Sequence, residues 1–203
     1  MNRPQLLVIR HGETEWSATG RHTGRTDIPL TGKGRGEAAA AKRTLADWEV
    51  DRVWSSPLIR ARETAEIVNP GPEIEFDDRL MEQDYGVYEG ITTAHTREEI
   101  PLWSVWTHPI IDGESTEEVG ARVDGFLAHA IEELGDGTGV VFAHGHLLSI
   151  LIARWCLLPP IEGRRFALAT ATVSLLGWHR EDPVIRAINH RCGDALQPPA
   201  RRA

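Results

Sequence analysis

Short apolar runs recur along the chain and predict its β-strands. In the first three runs the apolar side chains follow one another without alternating with polar ones, which is typical of strands covered on both faces in a parallel sheet. Polar or turn-forming residues bound the runs, as in the segment Arg180-Glu181-Asp182 between the last two. The predicted strands span residues 5–10, 52–55, 139–143, 172–178 and 183–187.

Helical stretches lie between these runs. One of them opens with the Ser-x-x-Glu pattern of a capping box, from Ser115 to Glu118, and another ends before two consecutive prolines. The predicted helices span residues 36–46, 58–68, 115–134 and 147–158. Because strands and helices alternate, the sequence predicts the α/β class, as a three-layer αβα sandwich with a mostly parallel central sheet.

Length and composition narrow the class of protein. A chain of 203 residues with 41% hydrophobic and 26% charged residues is typical of one globular domain, which we assign to residues 1–196, with residues 197–203 expected to be a disordered tail. No apolar run approaches the roughly 20 residues of a membrane span, and the first ten residues do not read as a signal peptide. We therefore expect a cytoplasmic protein without a membrane partner.

The two cysteines, Cys156 and Cys192, indicate neither a disulfide framework nor a thiolate zinc site.

The charge is unevenly distributed. A net charge of −8 makes nucleic acid an unsuitable partner, since a phosphate backbone requires a basic surface. Residues 1–65 nevertheless carry a net charge of +3, against −11 for the remainder. A local basic cluster in an acidic protein can still concentrate a small anion.

Polar residues that follow the predicted strands are the candidates for chemistry, because ligands of parallel sheets bind beyond the carboxyl ends of the strands. Arg10 and His11 follow the first strand, Arg60 lies shortly after the second, and His144 follows the strand at 139–143. Arginine offers a planar fork of donors that matches phosphate, and neutral imidazole can act as a covalent nucleophile. This set of residues favours phosphoryl transfer.

Five sequence blocks, in order, extend this set over residues 5–155. They are Arg10-His11-Gly12-Glu13-Thr14 with the later Gly20-x-x-x-Gly24, Ser56-Pro57-Leu58-x-Arg60-Ala61, Leu80-x-Glu82-x-x-Tyr85-Gly86, Gly113-Glu114-Ser115 and Ala143-His144-Gly145-His146. Together they resemble the histidine phosphatase superfamily, also called phosphoglycerate-mutase-like. The Trp16-Ser17 pair and the His144-Gly145-His146 triplet are similar to its mycobacterial acid-phosphatase-like and fungal sedoheptulose-bisphosphatase-like branches.

The resemblance implies a role for each matching residue. His11 would be the nucleophile that becomes phosphohistidine, Glu82 the proton donor to the leaving oxygen, and Arg10, Arg60 and His144 the groups around the phosphate. The implied substrate-binding residues are Ser17, Thr23, Gly24 and Gly145. Ser17 stands where the family often has Asn and offers one donor instead of two. The implied enzyme is a metal-independent phosphomonoesterase of the acid phosphatase type, acting on small phosphorylated metabolites without a cofactor.

Other interpretations stay open from the sequence. The family also contains phosphoglycerate mutases, which tend to be longer, and catalytically inactive binding relatives. His144 and His146 could form a metal pair, although no dense set of ligands accompanies them.

Four secondary expectations concern single elements. Trp103 and Trp106 lie three residues apart, as in a lid helix, within a segment 91–112 that should cover the site. His22 is interpreted as a surface or capping residue. The run Gly32 to Gly36 is interpreted as a turn into a helix. An exposed edge strand at 172–178 could pair two copies in a homodimer.

Overall fold

The computed structural model describes residues 3–191 and residue 196, and its centre is a six-stranded sheet. The strands are β1 (Gln5–Arg10), β2 (Arg52–Ser55), β3 (Ile74–Phe76), β4 (Thr138–Ala143), β5 (Val173–His179) and β6 (Asp182–His190). All five predicted strands are confirmed. β3 was not predicted, because it has only three residues and two of them are exposed.

The described residues form six α-helices. They are α1 (Glu15–Thr19), α2 (Gly32–Thr44), α3 (Ile59–Val68), α4 (Thr93–Glu99), α5 (Thr116–Leu134) and α6 (Gly145–Trp155), and 3-10 turns cover Asp78–Leu80, Gly86–Tyr88 and Pro160–Arg165. The four predicted helices are confirmed with shifted ends. α5 begins with the predicted capping box, in which Ser115 and Glu118 bond to each other's backbone N–H groups. α2 begins at Gly32, so the glycine-rich run enters a helix as expected.

Strand order places four carboxyl ends on one edge of the sheet. The order is β3-β2-β4-β1-β5-β6, and β3, β2, β4 and β1 pair in parallel. β5 and β6 complete the sheet in antiparallel pairings. The residues that follow β1, β2, β3 and β4 therefore meet at the same edge.

The core lies on both faces of the sheet. Leu6 and Val8 of β1 pack with residues of α5 and α6 on one face, while Leu7 and Ile9 pack with residues of α2 and α3 on the other. Successive side chains of a strand point to opposite faces, so an uninterrupted apolar run serves both helical layers. This confirms the α/β class with three layers and a mostly parallel sheet.

Two expectations about single elements are wrong. β5 is not an edge strand, since β1 and β6 pair with its two sides, and the dimer interface expected there has no free edge. Trp103 and Trp106 do not lie on a helix: α4 ends at Glu99, and the following Ile100 is extended because it precedes Pro101.

Other expectations fall outside what the structure describes. The tail at 197–203 and Cys192 are not among the described residues. The assignment of one domain to residues 1–196 stays a prediction. Within the described part of the chain, no helix combines the length and the apolar character needed to cross a membrane.

Candidate active site

One cavity opens at the edge where the parallel strands end. Its volume is about 330 Å³. The residues that line it come from the end of β1, from α1, from the start of α6, from the 3-10 turn at Pro160–Arg165, and from loops. They are Arg10, His11, Ser17, Gly20, Arg21, His22, Thr23, Glu82, Tyr85, Trp106, Gly145, His146, Ser149, Gly163, Arg164, Phe166, Ala167 and Leu168.

His11 presents an unprotonated nitrogen to this cavity. Its side chain is only 4% exposed, and its Nδ1 lies 2.7 Å from the carbonyl oxygen of Gly12. Because a carbonyl can only accept, Nδ1 carries the proton and Nε2 holds a lone pair. Burial and the positive charges of Arg60 and Arg10 hold the pKa of His11 well below 6.5. The ring is therefore neutral and suited to nucleophilic attack.

His144 lies behind His11, with its ring centroid 5.2 Å from that of His11. The residue is fully buried, and its Nδ1 accepts a hydrogen bond of 3.1 Å from Nε of Arg60. Its Nε2 then carries the proton and donates to the Ser56 hydroxyl, at 2.8 Å. Burial and the neighbouring Arg60 lower the pKa of His144 well below 6.5. His144 does not line the described cavity.

Arg60 also lies behind the cavity, fully buried at the start of α3. Its terminal nitrogens donate to the carbonyl oxygens of Thr23, Gly24 and Thr26, at 2.8–3.0 Å. The guanidinium thus ties the loop that carries Thr23 to β4 and its following histidine. Sequence reasoning had expected these donors to face the phosphate directly.

Arg10 offers unused donors at the cavity. NH1 donates to the carbonyl oxygen of Leu168, at 2.6 Å, and the buried Nε has no hydrogen-bond partner among the described residues. The second terminal nitrogen, Nη2, has no hydrogen-bond partner among the described residues and is not one of the buried unpaired atoms, so its N–H groups are available to an anion in the cavity. Gly145 lies against this guanidinium: a Cβ added there would come within 3.4 Å of the Arg10 Nε and Cζ atoms.

Glu82 lines the cavity and is 5% exposed. Its Oε1 accepts N–H bonds from Gln83 and Leu147, at 3.0 and 2.9 Å, and its Oε2 accepts the N–H of His146, at 3.1 Å. Two of these donors belong to the first turn of α6, whose own N-cap residue, His144, makes no side-chain cap. Glu82 therefore caps this helix from outside.

The remaining expected binding residues are engaged within the protein. The Ser17 hydroxyl donates to the Thr14 carbonyl and accepts from the Thr14 N–H, which closes the capping box of α1. Thr23 lines the cavity, whereas Gly24 does not. A Cβ on Gly24 would collide with the Glu89 carboxylate and the Gln83 carbonyl, so its small size serves packing against the protein.

Sequence reasoning missed the aromatic wall of the cavity, which we define as His22, Tyr85, Trp106 and His146. The interpretation of His22 as a surface residue is wrong, since it lines the cavity beside Tyr85, with ring centroids 5.0 Å apart. Its position directly before Thr23 and Gly24 was the available signal. Arg21 and Arg164 add positive charge at the same cavity.

The structure separates the two histidines of the triplet. His144 bonds to Arg60 and Ser56, while Nδ1 of His146 bonds to the Tyr85 hydroxyl. Among residues 3–191 and 196, no three His, Cys, Asp or Glu side chains are placed together as ligands of a metal ion.

Comparisons with known proteins identify the family of this chain. The model of the histidine phosphatase superfamily (branch 1) matches residues 6–191. An acid phosphatase from Mycobacterium tuberculosis is 42% identical over 86% of this chain and 86% of its own length. The sedoheptulose 1,7-bisphosphatase of Saccharomyces cerevisiae is 32% identical over 75% of this chain and 67% of its own length. A probable phosphoglycerate mutase from Salmonella arizonae is 34% identical over 84% of this chain and 83% of its own.

The fold is also similar to solved structures. One of them, an open reading frame from Mycobacterium tuberculosis, matches with a TM-score of 0.88 at 38% identity, over 93% of this chain and 98% of that one.

Proposed function

Since this chain belongs to the histidine phosphatase superfamily (branch 1), we propose that it hydrolyses phosphate monoesters of small metabolites through a phosphohistidine intermediate. The family resemblance that the five blocks predicted is confirmed, and so is the broad class of phosphatase. The mechanism, the metal independence and the substrate class are our proposal.

One observation carries the proposal. The Nε2 lone pair of His11 and the free N–H groups at the Nη2 nitrogen of Arg10 belong to the same cavity. Nucleophilic attack requires the lone pair, and the oxygens of a phosphoryl group require the N–H donor. The other residues of the site hold these two groups in place.

In the first step, Nε2 of His11 attacks phosphorus and the bond from phosphorus to the ester oxygen breaks. Glu82 gives its proton to the departing alkoxide, which leaves as an alcohol. In the second step, water attacks the phosphohistidine, its proton passes to Glu82, and the phosphorus–nitrogen bond breaks to release phosphate. Histidine and carboxyl group return to their starting states.

The hydrogen bonds of Glu82 indicate which oxygen holds the transferable proton. Oε1 accepts two N–H bonds, which occupy both of its lone pairs, whereas Oε2 accepts only one. Oε2 therefore has the free lone pair that a proton requires. We assign the acid role to this oxygen.

Positive charge stabilises the phosphoryl group in the transition state of the transfer, where its negative charge is spread over three oxygens. Arg10 supplies it at the cavity, and Arg60 supplies it from behind His144. Both cations also keep His11 neutral, because they oppose a further positive charge next to them. Fixed donors of this kind stabilise the transition state more than the bound ester.

The test is hydrolysis of p-nitrophenyl phosphate and of a panel of phosphorylated metabolites, in buffer with EDTA. We expect activity in EDTA, a loss of roughly 10³-fold or more in kcat for His11→Ala, and a radiolabelled, acid-labile phosphoprotein trapped from the wild-type chain only. His95→Ala is the matched control, since His95 is exposed on α4 and pairs with Glu98.

Three results would contradict the proposal. Activity that persists in His11→Ala excludes this nucleophile, and activity lost in EDTA and restored by a divalent cation excludes metal independence. Failure on every monoester, together with interconversion of 2- and 3-phosphoglycerate, assigns the chain to the mutases instead.

A further inference from the structure

The aromatic wall contains a hydrogen-bonded pair that the proposed reaction does not use. The Tyr85 hydroxyl bonds to Nδ1 of His146, and the two rings meet edge to face with centroids 5.6 Å apart. Trp106 also packs edge to face with His146, at 4.9 Å between centroids. These two ring contacts and the hydrogen bond hold the imidazole in one orientation at the cavity.

The pair fixes which nitrogen of His146 carries the proton. Tyr85 is only 2% exposed, and the one described hydrogen bond of its hydroxyl is the bond to His146. If the hydroxyl accepted in this bond, its own hydrogen would be buried without an acceptor, which is costly. The hydroxyl therefore donates, Nδ1 accepts, and the proton of the imidazole sits on Nε2.

Burial keeps both groups in these protonation states. It raises the pKa of the Tyr85 hydroxyl well above 10, so the hydroxyl keeps its hydrogen. It also lowers the pKa of His146, so the ring stays neutral. Among the described residues Nε2 has no hydrogen-bond partner, and it is not one of the buried unpaired atoms, so its N–H is open to the cavity.

His146 lies directly beside the acid of the proposed reaction. Its backbone N–H bonds to Oε2 of Glu82, at 3.1 Å, which is the oxygen that we assign to proton transfer. The leaving oxygen must approach that atom. Glu82 and the His146 ring line the same cavity, which must also hold the leaving group.

We propose that the Nε2–H of His146, held in this tautomer by Tyr85, donates a hydrogen bond to a hydroxyl oxygen of the leaving alcohol. The site thereby selects phosphate esters of polyhydroxylated alcohols, such as polyol and sugar phosphates, over esters of plain alkyl alcohols. This inference rests on the proposed phosphatase function and names the substrate class for it.

Two histidines of one cavity thus have opposite tautomers. His11 has its proton on Nδ1 and offers a lone pair at Nε2, because its partner is a carbonyl oxygen. His146 has its lone pair on Nδ1 and offers a proton at Nε2, because its partner is a hydroxyl hydrogen. The first arrangement suits attack on phosphorus, and the second suits recognition of oxygen.

The test compares kcat/KM for glycerol 3-phosphate and for n-propyl phosphate, which differ in two hydroxyl groups. For the wild-type chain we expect a ratio of about ten or more, because a leaving group without hydroxyls leaves a buried donor unpaired. We expect His146→Phe, which keeps the ring contacts but has no N–H, to bring the ratio close to one. His146→Gln, which keeps an amide N–H, should restore part of it.

Tyr85→Phe tests the tautomer. Without the hydroxyl the imidazole can exchange its proton between the two nitrogens, so the ratio should fall by a few fold and less than in His146→Phe. The double variant should match His146→Phe alone, since both changes act on one hydrogen bond. His95→Phe is the matched control, and its ratio should equal that of the wild-type chain. Urea unfolding of each variant checks that it is folded.

The outcomes separate this inference from the proposed function. A wild-type ratio near one, or an unchanged ratio in folded His146→Phe, overturns the role of His146 while the phosphatase activity stands. If His146→Phe lowers kcat/KM equally for both esters, the residue has only a structural role, and the proposed recognition role is overturned. Absence of His11-dependent hydrolysis of either ester overturns the proposed function itself.

Discussion

The candidate site has two halves, one largely behind the cavity wall and one on it, that are built in different ways. The inner half consists of His11, Arg60 and His144, which are 0–4% exposed and come directly after the parallel strands or from the start of α3. The outer half is the aromatic wall, whose members come from loops and from the first turn of α6. In the inner half almost every polar atom has a fixed protein partner. In the outer half donors are left for a ligand.

Under the proposed function, this difference assigns the chemistry to the inner half and the selectivity to the outer half. Neutral histidines beside two arginines require a rigid, dry surrounding, which the strand ends and the helices on both faces of the sheet provide. Loops can change without disturbing that arrangement. We therefore expect changes in the inner half to affect every substrate, and changes in the outer half to affect some substrates more than others.

The largest effect is expected when Arg60 is replaced, which breaks the inner half. Arg60→Met leaves the carbonyl oxygens of Thr23, Gly24 and Thr26 and the Nδ1 of His144 without their donor. We expect kcat/KM to fall by about 10²–10³-fold for every monoester, and the free energy of unfolding to fall by about 3 kcal/mol. Kinetics and urea unfolding measure the two quantities.

Arg62→Met is the matched control on the same helix. Arg62 is exposed and lies 3.7 Å from Glu66 in a surface ion pair, so its loss should change stability by less than about 0.5 kcal/mol. Equal effects of the two substitutions would show that the buried network of Arg60 is not what supports the inner half.

A second, smaller effect is expected in the pH dependence of kcat/KM below pH 7. It tests whether His11 in the inner half stays neutral there. A histidine with a pKa of 6.5 would keep only about 4% of its pH 7 neutral fraction at pH 5. Because burial, Arg60 and Arg10 hold the pKa of His11 well below 6.5, we expect kcat/KM for p-nitrophenyl phosphate to retain about half or more of its value between pH 7 and pH 5. A profile that is half-maximal near pH 6.5 would contradict the neutral nucleophile.

The smallest effect is expected in the outer half, at His22. Burial is the main cause that lowers the pKa of His22 from 6.5 to about 4. As the pH falls from 6.5 towards 4, the unfolded chain binds a proton that the folded chain does not, so this contribution to stability is present above pH 6.5 and is lost on acidification. His22→Phe should remove about 1 kcal/mol of the stability loss between pH 7 and pH 5, allowing for solvent screening.

Urea unfolding of the wild-type chain and of His22→Phe at both pH values measures this difference. Parallel loss of stability in the two proteins would show that the ring is not protected from protonation. Activity at pH 7 on p-nitrophenyl phosphate then tells whether the same substitution disturbs the inner half.

Much of the fold and of the inner half could be predicted from the sequence. Apolar runs marked the five longer strands, and the residues that follow them, such as Arg10, His11 and His144, converge because parallel strands end on one edge. β3 is too short and too exposed to produce such a run. The pairing of β6 with β5, which removed the expected free edge, depends on contacts across the sheet and not on local sequence.

The outer half could not be predicted in the same way. His22, Tyr85, Trp106 and His146 are far apart in the sequence and meet only through loop conformations, so no periodicity connects them. The hydrogen-bond partners of Arg60 could not be predicted from the sequence either. A sequence shows that an arginine follows a strand, but not that three backbone carbonyls occupy its donors.

The cap that Glu82 places on α6 couples this helix to the proposed reaction. The backbone amides of His146 and Leu147 bind the same carboxyl group that, in the proposed reaction, gives up and regains a proton in each turnover. Negative charge at a helix N-terminus is stabilising, and its neutralisation weakens the first turn. The amide resonances of these two residues in a nuclear magnetic resonance spectrum should therefore distinguish two states. In the free enzyme Glu82 is protonated, and in the phosphohistidine intermediate it is ionised.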